Sequence, residues 1–358
     1  MKLRLLGNMT AREFLRRHWQ KRPLLVRAAL PRFRGVVDLS GLRALAARDD
    51  VESRIVERRG TRWETQHGPF KKASPRKTNA TLLVSGVNLH VGAADALLRL
   101  FSFVPLARLD DVMVSYATPG GGVGPHADSY DVFLLQGPGR RRWKTWSPDG
   151  SVHGQYTLDT GDMLYLPPGW RHDGVALDPC YTYSIGFRAP RGAELGAAFL
   201  DWLHERGLPD ARYRDPGLTP AARAAAIPSG MVSFCEKALK GIRWGRRDVT
   251  VFLGEYLSTP KPHVVFRPSK SRGAELSLDP KTQLLYSGNR FFINGESFVT
   301  SKSAAVRLKE LAERRRMPTS RLAGAPLRDL ISAWLRAGYA HLHPLNGGAA
   351  QIGAWSTR

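Results

Sequence analysis

Cysteine is almost missing from this chain: Cys180 and Cys235 are the only two in 358 residues. No CxxC pair exists, which excludes a disulfide framework and a cysteine-held zinc. A reducing, intracellular setting fits that poverty. Acid is scarce as well. Asp and Glu number 31 against 54 Lys and Arg, a formal charge of +23. A field of that sign draws nucleic acid or ribonucleoprotein, although an arginine-rich genome leaves the same surplus, and net charge speaks to association rather than fold. No window approaches the roughly 18 apolar residues that a membrane span needs. Met1 to Leu6 is too short for a signal-peptide core, and Arg16, Arg17, Lys21 and Arg22 follow soon after. The reading is therefore cytoplasmic, with no membrane partner. Neither an internal repeat nor a low-complexity tract is visible.

What remains is a chain with 42% hydrophobic residues, enough for real cores and long enough for two or three domains. Thr10 to Glu13 has the capping-box pattern and predicts a helix to about Trp19, stopped by Pro23. Leu24 to Val26 reads as a buried strand. Ser40 is the expected cap of a second helix carrying Leu42 and Leu45. Thr81 to Val84 is a short strand, and 93–100 is helical. The pattern then changes to short apolar runs: Val112–Tyr116, Val132–Leu135, Arg142–Trp146, Met163–Leu166 and Tyr181–Phe187. Glycine and proline turns punctuate them, as in a sandwich or barrel. Helices are predicted again at 193–206, 220–227 and 233–242. Beyond a proline-rich boundary at 260–268, Leu284–Tyr286 and Phe291–Ile293 lie beside Asn294-Gly295, a strong hairpin signal. Helices at 304–315 and 326–337 complete a small separate domain.

The chemistry centres on His126 and Asp128. In extended backbone, residues i and i+2 point the same way, so both can face one metal. The best third ligand is His172, 44 residues beyond Asp128. It follows a turn, an apolar strand and a second turn, which places it at a loop rim. Two histidines and a carboxylate form the facial triad of non-haem Fe(II) oxygenases, though zinc hydrolases use the same donors. The glycine run just before His126 permits close backbone approach to a ligand. It lacks the GK[ST] of a phosphate loop. Next come Arg140, Arg141 and Arg142, any of which could grip a carboxylate bidentately. Alternation puts Arg140 and Arg142 on one side and Arg141 on the other.

These residues carry a resemblance. Asp110 to Tyr116 (Asp-Asp-Val-Met-Val-Ser-Tyr), Pro119 to His126 (Pro-Gly-Gly-Gly-Val-Gly-Pro-His), Asp128 and Tyr130 to Phe133 are similar to the bacterial JmjC-type ribosomal oxygenases of the cupin superfamily. So are Gln136-Gly137, Gly139 to Trp143, Gly161-Asp162, Leu166 to Gly169, His172, and Tyr183-Ser184 with Gly186 to Pro190. The resemblance implies an α+β chain in three parts. Residues 1–190 form a JmjC double-stranded β-helix, 191–259 a helical dimerisation segment, and 260–358 a small winged-helix-like domain. It implies Fe(II) held by His126, Asp128 and His172, with O2 and 2-oxoglutarate as co-substrates. It assigns the distal carboxylate of 2-oxoglutarate to Arg141, and substrate contacts to Asp111, Tyr130 and Ser184.

The implied substrate is the β-carbon of an arginine in a large-subunit ribosomal protein, number sixteen of its set. A homodimer working near ribosomal RNA is implied with it. The chain departs from the family pattern at Trp170-Arg171 and Asp173, where Phe-Pro and Glu are expected. Its stretch from Trp143 to Gly161 is also shorter than the family's. Other readings are a JmjC hydroxylase acting on RNA or on a histidine of another ribosomal protein, and a non-enzymatic cupin-like module that binds nucleic acid or ribosomes.

Overall fold

A computed structural model describes residues 5–73, 75–268, 272–322 and 324–344. Helix α1 (Ala11–Arg17) starts at a complete capping box. Thr10 Oγ1 accepts the Glu13 N–H at 3.2 Å, and Glu13 Oε2 accepts the Thr10 N–H at 2.9 Å. Strand β1 (Leu24–Val26) follows. Helix α2 (Leu39–Ala46) is capped by Asp38, not by Ser40. Asp38 Oδ1 accepts the Gly41 N–H at 2.8 Å, and Ser40, already inside the first turn, donates its hydroxyl to the same carboxylate. A carboxylate is favoured at that position because it also answers the helix dipole.

Strands β2 (Ser53–Arg59), β3 (Arg62–His67) and β4 (Ala80–Val84) precede α3 (Gly92–Arg99) and β5 (Leu109–Ala117). Six strands follow: β6 (Val132–Gln136), β7 (Arg141–Trp146), β8 (Val152–Leu158), β9 (Met163–Leu166), β10 (Arg171–Ala176) and β11 (Cys180–Phe187). They make an eight-stranded antiparallel sheet in the order β1-β9-β6-β11-β5-β4-β2-β3 and a three-stranded sheet in the order β10-β7-β8. Together these form the double-stranded β-helix. The period-two pattern divides the large sheet's faces. Val112, Val114, Phe133, Leu135, Tyr183 and Ile185 pack outward in one cluster with Phe14, Leu42 and Leu97 of the three helices. Val132, Leu134 and Leu164 pack inward with Trp143 and Leu158 of the small sheet. The barrel interior is thus lined by the opposite set of positions, among them 111, 113, 115, 182 and 184.

Helices α4 (Gly192–Glu205), α5 (Ser229–Gly241) and α6 (Arg246–Ser258) come next. The predicted helix at 220–227 does not form. The segment is turn and bend, exposed throughout. Seven alanine-rich residues between Pro220 and Pro228 have no apolar face to bury, and an unpacked helix that short is marginal in water. The last part comprises β12 (Glu275–Leu278), β13 (Leu284–Ser287), β14 (Arg290–Ile293), β15 (Glu296–Val299), α7 (Lys302–Arg314), β16 (Arg316–Pro318), α8 (Ala325–Ala337) and β17 (Ala340–His343). Asn294 and Gly295 both have positive φ (50° and 93°) and turn β14 into β15. The β13–β14 turn is Gly288-Asn289. Among the described residues, no helix is long and apolar enough to cross a membrane.

His90 sits where the first and last parts meet, facing Arg48, Asp50, Lys281 and His263. Burial, helped by Arg48, Lys281 and His263 against Asp50, holds its imidazole down at about 4. The unfolded chain therefore takes up this proton first. Stability present above pH ~6.5 is lost as the pH falls towards about 4, a loss on the order of 1–2 kcal/mol for a partly exposed site. Urea unfolding at neutral pH and near pH 4.5 checks this: His90→Gln should remove that part of the slope.

Candidate metal centre and substrate pocket

His126 and His172 are opposed across an antiparallel bridge. The His126 N–H donates to the His172 carbonyl at 3.0 Å, and the His172 N–H donates back at 2.8 Å. His172 lies within strand β10 and not at a loop rim. The second turn, Pro167 to Gly169, ends before it, and pairing with β7 extends the strand through it. Each imidazole places Nδ1 against a backbone carbonyl two residues earlier: Gly124 O at 2.9 Å and Trp170 O at 3.0 Å. A carbonyl only accepts, so each Nδ1 carries a proton, which leaves Nε2 as the ring atom free to ligate. Burial, and after it the neighbouring His126, push the His172 pKa below its ordinary value. That keeps the ring neutral. The ring centroids are 4.3 Å apart.

Asp128 Oδ2 is 3.7 Å from His172 Nε2. The Asp128 carbonyl accepts the Gly169 N–H at 2.8 Å, so the Pro-Pro-Gly turn anchors the backbone of the acidic ligand. One ligand atom from each of His126, Asp128 and His172 lies within 4.8 Å of the others, and no second such trio gathers among the described residues. Two imidazoles and one carboxylate gathered at one point are the donor set of a non-haem iron site.

The glycine run before His126 makes close approaches to the protein itself. A Cβ on Gly122 would lie 2.5 Å from the Gly174 carbonyl, and one on Gly124, where φ is +82°, would meet the Trp63 ring at about 3 Å. The run lets the His126 segment lie flat on β10.

The three arginines separate cleanly. Arg140 is exposed, and its Nε holds Asp178 at 2.8 Å. Arg142 is also exposed. Arg141 faces the barrel interior at 4% exposure, its guanidinium 5.7 Å from the Trp143 ring. Its Nε and Nη2 are buried without a hydrogen-bond partner. A buried guanidinium with two idle donors is costly, and a carboxylate cures it. Across the interior, the hydroxyl of Thr182 is likewise buried and unpartnered. Thr182 pairs with Gln136 on one side and Ser115 on the other, so a polar row lines the floor opposite β7. No sequence signal marked Thr182, because a threonine in a strand is unremarkable until its neighbours are known.

Asp111 and Tyr130 come together at the other side of the interior. Asp111 Oδ2 accepts the Gly86 N–H at 2.8 Å. A Cβ placed on Gly186 would stand 3.5 Å from Asp111 Oδ1 and 3.9 Å from Tyr130 Cε2. The bare backbone of Gly186 therefore borders the space that both side chains face. Burial, then Asp128 and Asp111, push the Tyr130 hydroxyl up to about 12, so it stays protonated and can donate. Ser184, 9% exposed, lies two residues before Gly186 on the same strand face.

The JmjC domain family matches residues 96–155 and 149–195, the segments that hold His126, Asp128, His172, Arg141, Asp111, Tyr130 and Ser184. A ROXA-like winged helix matches residues 241–341. That match begins before the proline-rich boundary and takes in α6, which packs on β13, β14 and β15. The chain is 37% identical to the ribosomal protein uL16 3-hydroxylase of Escherichia coli over 274 residues, 72% of this chain and 73% of that one. It is 35% identical to a probable ribosomal oxygenase of Haemophilus influenzae over 209 residues, 52% of each chain. Its fold is similar to the ribosomal oxygenase YcfD from Escherichia coli in complex with cobalt and 2-oxoglutarate, with TM-score 0.80 and 32% identity over 93% of this chain and 98% of that one.

Proposed function

The chain belongs to the JmjC-domain ribosomal oxygenases, and on that footing we propose that it hydroxylates an arginine side chain, at the β-carbon, of large-subunit ribosomal protein uL16. The enzyme is an Fe(II)- and 2-oxoglutarate-dependent dioxygenase. The observation that carries the arginine reading is Asp111: a mostly buried carboxylate with one oxygen aimed at the space beside Tyr130, a seat of the right charge for a guanidinium.

In this reading His126, Asp128 and His172 hold the iron, and Arg141 pairs with the distal carboxylate of the keto acid. Thr182 offers that carboxylate a further hydroxyl. Bound there with 2-oxoglutarate and O2, the iron supplies the oxidation that inserts one oxygen atom into a C–H bond. The chain's own part is placement. Asp111 and Tyr130 fix the cationic head of the substrate, Ser184 borders its path, and the walls of Trp143 and Leu158 keep water from the interior. Residues 1–190 carry the chemistry. The helical stretch 191–259 joins two copies through its exposed apolar side chains, Leu200, Met231, Val232 and Leu239 among them. The net charge of +23 suits a substrate that lives beside ribosomal RNA.

The test is to incubate the purified chain with Fe(II), 2-oxoglutarate, O2 and recombinant uL16, and to map added oxygen at residue resolution by tandem mass spectrometry. One oxygen on an arginine is expected. Oxygen on a histidine, on another ribosomal protein or on RNA alone would overturn the arginine reading. Asp111→Asn should lower kcat/KM for uL16 by about 10²-fold, the scale of a lost charge-assisted pair, while the 2-oxoglutarate KM stays unchanged.

A further inference from the structure

The substrate pocket receives a side chain from outside the JmjC domain. Lys261 lies three residues beyond the end of α6, between Pro260 and Pro262, which restrict its backbone from both sides. Its Nζ is 3.2 Å from Asp110 Oδ1 and 3.8 Å from Asp111 Oδ2. Arg188 ties down the same junction: its Nε is 3.5 Å from Asp110 Oδ1, and its Nη1 donates to the Leu257 carbonyl at 2.7 Å. The end of α6 and the linker after it are thus bound to the acidic start of β5.

We propose that Lys261 is a positioning residue for the substrate, holding the Asp110–Asp111 pair charged and oriented so that the open oxygen of Asp111 receives the cationic side chain to be hydroxylated. The inference rests on the arginine-hydroxylase reading above. Lys261 stands behind the seat and does not fill it. Its ammonium is closer to Asp110 than to Asp111, and the Asp111 oxygen it approaches already accepts the Gly86 N–H. The other oxygen faces Gly186 and Tyr130.

The need for such a cation is electrostatic. Asp111 is 13% exposed at its side chain. Burial pushes its carboxyl above the ordinary range, Lys261 pulls it back, and Asp110 and Glu52 push it further up. These, with Tyr130 beside Oδ1 and the Gly86 N–H on Oδ2, are the groups around it. Without Lys261 the neutral acid gains ground near neutral pH, and a neutral acid is a poor partner for a guanidinium.

Lys261→Met in the full chain is expected to raise the KM for an arginine-bearing uL16 substrate several-fold near neutral pH, because less of Asp111 is then ionised. The kcat and the 2-oxoglutarate KM should stay within about twofold, since neither group touches the iron or the keto acid. The KM penalty should shrink as pH rises and Asp111 ionises again, and Lys261→Arg should restore the wild-type KM. An unchanged KM, a lowered KM, or a pH-independent loss that arginine does not repair would overturn the proposal. Carbon-13 labelling of aspartate carboxyls gives a readout without turnover: the Asp111 titration should move up in Lys261→Met, and a stationary one overturns the proposal. If the wild-type enzyme oxidises no arginine, the functional reading fails, while the titration still decides whether Lys261 holds Asp111.

Discussion

His172→Ala should abolish metal binding and reduce turnover by at least about 10³-fold, with the fold intact. The two effects part company because His172 plays two separate roles. The bridge to His126 is made by backbone groups alone, N–H to carbonyl in both directions, and alanine keeps it. The ligand role belongs to Nε2, which alanine lacks. Two donors then remain where the site needs three. Reorienting a ligating imidazole through its hydrogen-bonded neighbour already costs 10- to 100-fold in affinity, and deleting the ligand costs more. The buried pocket does not refill easily, because Trp143 lies 5.8 Å from the imidazole and holds its own place in the inner core. Differential scanning fluorimetry separates the outcomes. Fe(II) or an inert substitute such as Co(II) should raise the melting temperature of the wild-type chain and leave the variant where it is. Retention of metal-dependent stabilisation in His172→Ala would mean that these three residues are not the ligand set.

How far this centre could be read from sequence follows from the physics of each residue. His126 and Asp128 were legible because the period of extended backbone forces i and i+2 together, and nothing distant can undo that. His172 was legible as an identity but not as a place. A short strand following Pro-Pro-Gly looks like a loop until its partner, β7, is known, and strand pairing is a non-local fact. Strands β2, β3, β8 and β10 escaped for the same reason: their charged and polar residues satisfy no periodic pattern alone, and only their neighbours in the sheets make them strands. The Ser40 cap failed locally, since two capping residues stood two apart and the helix began at the first. Lys261 left no trace at all. It is 150 residues from Asp111 in the chain, in a proline-rich stretch that read as a boundary. Arg141 stood between these cases: alternation divided the three arginines into two sets, but choosing the inward set requires knowing which sheet face is the interior.

Arg141 also carries the second large effect, and its signature is a pair of opposite changes. Arg141→Met should raise the KM for 2-oxoglutarate by about 10²–10³-fold, the cost of removing one partner from a buried, charge-assisted pair. Arg141→Lys should fall between, because an ammonium keeps the charge but not the planar fork. In the ligand-free protein the sign reverses. There the guanidinium is 4% exposed with Nε and Nη2 unpaired, a desolvated charge that the fold carries at a loss. A methionine of similar length removes that penalty and packs against Trp143. The ligand-free variant should therefore be as stable as the wild type or more so by denaturant unfolding. The stabilisation that saturating 2-oxoglutarate gives the metal-loaded wild type, about 2.7 kcal/mol at a hundredfold excess over Kd, should vanish. A variant that lost both affinity and ligand-free stability would point to a structural guanidinium. A variant that lost neither would place the keto acid's carboxylate elsewhere. Only the crossed result, weaker binding on a firmer fold, is what a binding residue produces when its buried charge has no protein partner and takes the carboxylate as one.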